Sequence, residues 1–158
     1  MHSKINPKSF FICIAIPLLV GGLSALFTVG SMADFEAMRQ PPLSPPGWIF
    51  PAVWTVLYIL MGIASYTVLE ARCAKERKKR AFLSYFLQLF FNFMWSIIFF
   101  NFGAYEIAFI WLLVLLALII LTSVRFYRVN ALAGVLLLPY ILWVSFAGYL
   151  NIAIAYLN

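Results

Sequence analysis

Residues 107–126 read IAFIWLLVLLALIILTSVRF, twenty positions with one charge, Arg125, next to the end. A stretch of this length at about 1.5 Å of rise per residue covers the hydrocarbon core of a bilayer. Four further windows have the same character: Phe10–Val29, Trp48–Leu69, Ala81–Phe102 and Leu132–Tyr156. None of those four contains Asp, Glu, Lys or Arg. One such run fits a buried core helix; five in a chain of 158 residues do not. The composition agrees. The chain is 65% hydrophobic and 10% charged, where a soluble domain is about 45–50% apolar and about 25% charged. A domain of this size leaves too much surface outside to hide that much apolar area in water. The expected fold class is therefore all-α, an integral membrane bundle of five helices. Residues 1–158 are expected to form that one domain, because the tails and loops leave no room for another.

Topology follows from the positive charges. With five spans, Lys4, Lys8, Arg72, Lys75, Arg77, Lys78, Lys79, Arg80, Arg125 and Arg128 share one side of the membrane, and Arg39 alone lies on the other. This asymmetry predicts a cytoplasmic N-terminus and an outward C-terminus. The net charge of +6 thereby reads as orientation, and the run Lys75–Arg80 as an anchor among anionic headgroups rather than a nucleic-acid site. The first window is too long for a secretory signal and lacks a clear cleavage pattern, so it is expected to remain as a span. Cys13 in the first span and Cys73 in a cytoplasmic loop predict neither a disulfide nor a metal site. The lone histidine, His2, lies in the tail. No nucleotide or metal motif occurs, and no cofactor is expected.

The Gly30–Gly47 loop carries Asp34, Glu36 and Arg39, then Pro41, Pro42, Pro45 and Pro46. Such proline density predicts a stiff, extended, non-helical segment. It reads either as a lid over the outer end of the bundle or as a plain connector. Of the five tryptophans, Trp48 and Trp111 are near span ends, where indoles form an interfacial belt. Trp54 and Trp95 are expected roughly 9 and 10 Å below the outer ends of their spans, and Trp143 about 20 Å down the fifth. An indole N–H at such depth needs a partner or a ligand.

Polar side chains recur beside these rings at helical spacing. Gln88, Asn92 and Trp95 share one face of the third span, Tyr140, Trp143, Ala147 and Asn151 one run of the fifth, and Pro51, Trp54 (or Thr55) and Tyr58 one stripe of the second. Amides in hydrocarbon turn toward the bundle interior, as interhelical glue or as the lining of a cavity. Three aromatic–amide stripes at similar depth predict a neutral aromatic pocket in the outer half. A large flat aromatic molecule suits it better than an ion or a proton relay. Arg39 is the one outer cation for an anionic ligand, with Asp34 or Glu36 as competing partners. Gly21, Gly22, Ser24, Ala25 and Thr28 read as a small-residue packing face on the first span. The fourth span, nearly all aliphatic with an unbroken apolar run from Leu112 to Leu121, is expected to face lipid or another subunit.

Three segments carry a resemblance: PPLSPPGWIFPAVWTVLY at 41–58, QLFFNFMWSIIFF at 88–100 and LPYILWVSFAGYLN at 138–151. In that order, on a five-span chain, they resemble the translocator protein family, also called tryptophan-rich sensory proteins or peripheral-type benzodiazepine receptors (TspO/MBR). The resemblance implies a homodimer binding protoporphyrin-type tetrapyrroles and isoquinoline-carboxamide or benzodiazepine-like drugs. Roles linked to the family are tetrapyrrole transport, stress signalling and light-dependent porphyrin breakdown. Matched by motif, Trp54, Asn92, Trp95, Trp143 and Ala147 fall where the family lines its pocket, and Trp54 and Trp143 become the candidate catalytic indoles. Mitochondrial relatives carry a cholesterol motif at the end of the fifth span. Here Tyr156 is followed by Leu157 and Asn158, without its basic residue. Cholesterol transport is not implied, and a bacterial plasma membrane is the expected location. A haem enzyme is not expected, since no His or Cys reaches the pocket. The alternatives to catalysis are a carrier, or a sensor acting through a partner.

Overall fold

The computed structural model describes residues 6–158, so Lys4 and His2 lie outside the described residues. Every regular element among these residues is helical. Five helices are long and apolar enough to cross a membrane, spanning Pro7–Ser31, Ile49–Glu70, Lys75–Asn101, Tyr105–Val129 and Ala131–Leu157. The end of the bundle that carries the Pro-rich loop is called the outer end below.

α1 (Pro7–Thr28) begins with Pro7 at its first turn, where no N–H is missed, and Asn6 caps it by accepting from the Ser9 N–H. α3 (Ile49–Glu70) packs along α1. Gly62 makes that seam possible: a Cβ there would stand 2.6 Å from the Ile14 Cα, so only hydrogen lets the two backbones meet. α4 (Lys75–Ser96) starts six residues earlier than the sequence suggested, and the run Lys75–Arg80 forms its first turns rather than a loop. Lys, Arg and Glu are good helix formers, and α4 had only to extend past the apolar stretch into the polar headgroup zone. At its outer end α4 widens into a π turn, Ile97–Asn101.

α5 (Tyr105–Val129) has an inner face besides the outward one expected of it. It packs between α4 and the last helix of the chain, with Ala108, Leu112, Leu115 and Ile119 fully buried and its opposite face exposed. A helix apolar all round gives no sign of which face is inside. The fifth span is broken rather than continuous. α6 (Ala131–Val135) is capped by Asn130 and ends before α7 (Leu138–Leu157), which carries Pro139 in its first turn. A continuous helix would drive the Pro139 ring into the Val135 carbonyl. Gly134 seats α6 on α5, where the Ser123 hydroxyl donates to its carbonyl at 2.9 Å.

The 30–47 loop contains a helix that its prolines concealed. α2 (Met32–Ala37) lies ahead of them, and the prolines hold only the return from residue 41. There the Ser44 N–H bonds the Pro41 carbonyl at 3.1 Å, and Leu43 takes a positive φ of 69°. Leu43 holds this strained backbone at 81% exposure.

Candidate functional site

Two aromatic–amide layers cross the bundle at different depths. In the inner layer the Tyr58 hydroxyl donates to Asn92 Oδ1 at 2.8 Å, and Asn92 Nδ2 donates to the Tyr140 hydroxyl at 2.7 Å. Tyr140 in turn donates to Gln88 Oε1 at 2.8 Å. All four side chains are buried, and together they join α3, α4 and α7. Gln88 completes its set with a weak 3.8 Å contact to the Met61 sulfur. Each such bond contributes about 0.6 kcal/mol in a membrane interior. Leaving one polar group buried without a partner costs about 1–3 kcal/mol, which is why the chain is closed.

In the outer layer the Trp95 indole donates to Asn151 Oδ1 at 3.1 Å, and Asn151 Nδ2 donates to the Tyr105 carbonyl at 2.7 Å. Here the helices do not fill the space. A cavity of about 460 Å³ opens beside Trp95 and Asn151, within the range of about 300–1,000 Å³ usual for small-molecule sites. α3 contributes Phe50, Trp54 and Tyr58 to its wall, α4 Trp95, and α7 Ala147 and Asn151. Trp54 stacks on Tyr58 with centroids 5.6 Å apart, and Trp95 stacks on Phe99 at 5.3 Å. Among the described residues, no charged side chain lines the space.

The outer roof is Phe35 of α2, 8% exposed and edge-on to Phe50, Phe99 and Phe100 at 6.2, 5.9 and 5.4 Å. Phe99 and Phe100 both belong to the π turn. The loop beyond α2 is tied down at several points. Gln40 Nε2 donates to the Phe35 carbonyl at 2.8 Å, and the Tyr149 hydroxyl donates to the Pro42 carbonyl at 2.8 Å. The Asn158 amide accepts from the Arg39 N–H at 3.0 Å and donates to the Arg39 carbonyl at 3.2 Å.

Of the residues singled out from sequence, Trp54, Tyr58, Trp95, Ala147 and Asn151 come together on the cavity. Gln88, Asn92 and Tyr140 lie behind it in the inner layer, reached through Tyr58. Trp143 does not line the cavity. It faces a shallow groove between α3 and α7 with Val53, Val56, Leu142 and Phe146, and meets the cavity only through Phe50, whose ring is 5.9 Å away. Its indole N–H is buried without a partner. Arg39 is an exposed part of the lid, held there by its backbone. Trp48 is 72% exposed at the outer end, as a belt residue would be. Trp111 instead turns inward, stacked on Phe91 at 4.4 Å and donating to its carbonyl at 2.9 Å.

Sequence reasoning missed two contributors. α1 forms a whole wall through Gly22, Ser24, Ala25 and Thr28. Its small residues read as helix packing, but only Gly21 serves that purpose, where a Cβ would overlap the Tyr58 ring. The Ser24 hydroxyl is buried with no hydrogen-bond partner, so this wall holds an unspent polar group. Phe35 was also missed, for a loop phenylalanine carries no periodic signal.

Comparison with known proteins gives a consistent answer. The TspO/MBR family profile matches residues 13–157. A tryptophan-rich protein TspO of Chlorobaculum tepidum is 37% identical over 153 residues, covering 93% of this chain and 94% of its own. Another, from Archaeoglobus fulgidus, is 37% identical over 142 residues, covering 89% and 91%. The translocator protein of Bos taurus is 31% identical over 138 residues, covering 86% and 82%. A five-span bundle whose family-matching segments wall one neutral aromatic cavity accords with all three, and the chain belongs to the TspO/MBR family.

Proposed function

We propose that this membrane protein binds protoporphyrin-type tetrapyrroles in the outer cavity and promotes their light-dependent breakdown. The observation that carries this reading is the cavity itself: about 460 Å³, uncharged, and walled by Trp54, Tyr58, Trp95 and Phe50. Flat π-systems stack on such rings at separations of 4.5–7 Å, and a neutral wall takes a macrocycle without desolvating a protein charge. The Ser24 hydroxyl can turn toward a polar edge of the ligand. Isoquinoline-carboxamide and benzodiazepine-like drugs, flat and apolar, fit the same description. The resemblance adds a homodimer, and the charge asymmetry adds a bacterial plasma membrane with the cavity in its outer leaflet.

Photochemistry needs no acid–base pair. The bound porphyrin absorbs light and passes an electron to dioxygen. The superoxide and the porphyrin radical cation then recombine with both oxygen atoms bonded to the ring, so one dioxygen is consumed and no outside reductant is needed. Trp54, in the wall, holds the hole in the interval, giving an electron to the oxidised macrocycle and taking it back before the oxygen adds. Trp143, one ring further out behind Phe50, extends that relay. A carrier that binds the same ligand without destroying it is the second reading, favoured by the absence of carboxylates, histidines and cysteines from the lining among the described residues.

Tryptophan fluorescence quenching by protoporphyrin in detergent, in the dark and then illuminated, separates the two. Saturable quenching with protein-dependent fading of the porphyrin spectrum, lost in Trp54→Phe, supports breakdown. Quenching without such fading leaves a carrier. Absence of saturable quenching overturns the ligand assignment altogether.

A further inference from the structure

Phe35 divides two chambers. Inside it is the neutral cavity, and outside it is a second hollow of about 260 Å³ lined by Ser31, Asp34, Asn101 and Tyr105. Phe35, Phe99 and Phe100 line both, so the partition is one layer of rings. The partition is carried by a six-residue helix on one side and a π turn on the other, both short elements.

The chemistry of the outer hollow is opposite to that of the inner cavity. Ser31 donates to Asn101 Oδ1 at 3.1 Å, and Asn101 Nδ2 donates one of its two N–H groups to the Phe27 carbonyl at 2.9 Å. The Tyr105 hydroxyl meets only the Met38 thioether, at 3.4 Å, a poor acceptor. Asp34 brings a carboxylate to the rim, and Arg39, the cation of the same loop, is not part of the lining. The hollow is therefore negative through Asp34, with the Tyr105 hydroxyl beside it as a further acceptor.

We propose that this hollow is a second binding subsite, which takes the cationic or hydrogen-bond-donating end of a ligand whose flat body lies in the inner cavity, with Phe35 as the movable divider. The proposal rests on the reading of the inner cavity as a flat aromatic site. A ligand bearing amines gains Asp34 and the Tyr105 hydroxyl when Phe35 swings aside. A ligand bearing carboxylates meets like charge there and directs them elsewhere.

The test uses the full chain in detergent at physiological salt, with two probes of one macrocycle: protoporphyrin, with two carboxylates, and its bis(aminoethyl)amide, with two amines. Affinities come from tryptophan quenching. Asp34→Asn is expected to weaken the diamine about three- to fivefold, the scale of an exposed charge pair, and to leave the dicarboxylate unchanged or tighter. Glu36→Gln removes a carboxylate from the same helix but outside the hollow, and is expected to leave both probes unchanged. Phe35→Ala is expected to speed association of the diamine. If Asp34→Asn leaves the diamine unaffected, or Glu36→Gln weakens it equally, the subsite is overturned while the inner cavity stands. If neither probe quenches the wild type saturably, the inner-cavity reading falls and takes this one with it.

Discussion

The inner and outer layers of the bundle are made from the same kinds of residue, yet one is solid and the other hollow. Asn92 bridges two tyrosine hydroxyls and Asn151 bridges the Trp95 indole and the Tyr105 backbone carbonyl, each across three helices. Around Asn92 the space is filled by Tyr58, Tyr140 and Gln88, all buried and joined in one chain of hydrogen bonds through Asn92. Around Asn151 the neighbours include Ala147, Ala25 and Gly22, and their missing volume is the cavity. A polar stripe in a membrane helix thus does not by itself mark a ligand site. What distinguishes the two layers is the size of the residues on the facing helices.

The contrast can be broken most severely from the α1–α3 seam. Gly62→Val places a branched side chain against the Ile14 backbone, and a loss of about 3 kcal/mol is expected. Thermal unfolding in detergent, followed by circular dichroism, would show it; an unchanged midpoint means that α1 is free to slide. Asn92→Leu is next, stripping partners from Tyr58 and Tyr140 at once, with an expected loss of about 2 kcal/mol in the same assay. Ala147→Leu acts in the reverse sense. Filling the hollow layer is expected to weaken porphyrin quenching about tenfold or more while stability holds or rises by about 0.5–1 kcal/mol. A fall in both would mean that the cavity wall cannot accept the added methyl groups. Ser24→Ala has the smallest expected effect, a gain of up to about 1 kcal/mol from removing an unpartnered buried hydroxyl. A loss of ligand affinity on that substitution, at unchanged stability, would assign the hydroxyl to the ligand.

Much of this was legible in the sequence, because hydropathy and helical spacing are local properties. The five spans and the approach of Trp54, Trp95 and Asn151 to one depth follow from counting residues. The helical start of α4 at Lys75 did not, since hydropathy reports where lipid begins and not where helix begins. The inward face of α5 was hidden by a sequence apolar on every side. Trp143 shows the limit of counting: its depth was readable, but its azimuth was not, and the structure turns it toward the α3–α7 groove. Phe35 was invisible for a different reason. Its role depends on where a short helix docks, which rests on tertiary hydrogen bonds from Gln40, Tyr149 and Asn158.

Those tethers have a kinetic consequence. The Asn158 amide grips Arg39 from both sides, and Asn158 follows directly on the last turn of α7. Helix ends fray far more often than helix interiors open. A roof fastened partly to such an end is loosened each time that turn unwinds, while Gln40 and Tyr149 still hold it, so the dwell time of a ligand beneath Phe35 is expected to follow the fraying of α7. Amide exchange at Arg39 and at the last turn of α7 should then slow together when the cavity is occupied. The helix end would serve as a clock for the ligand's departure.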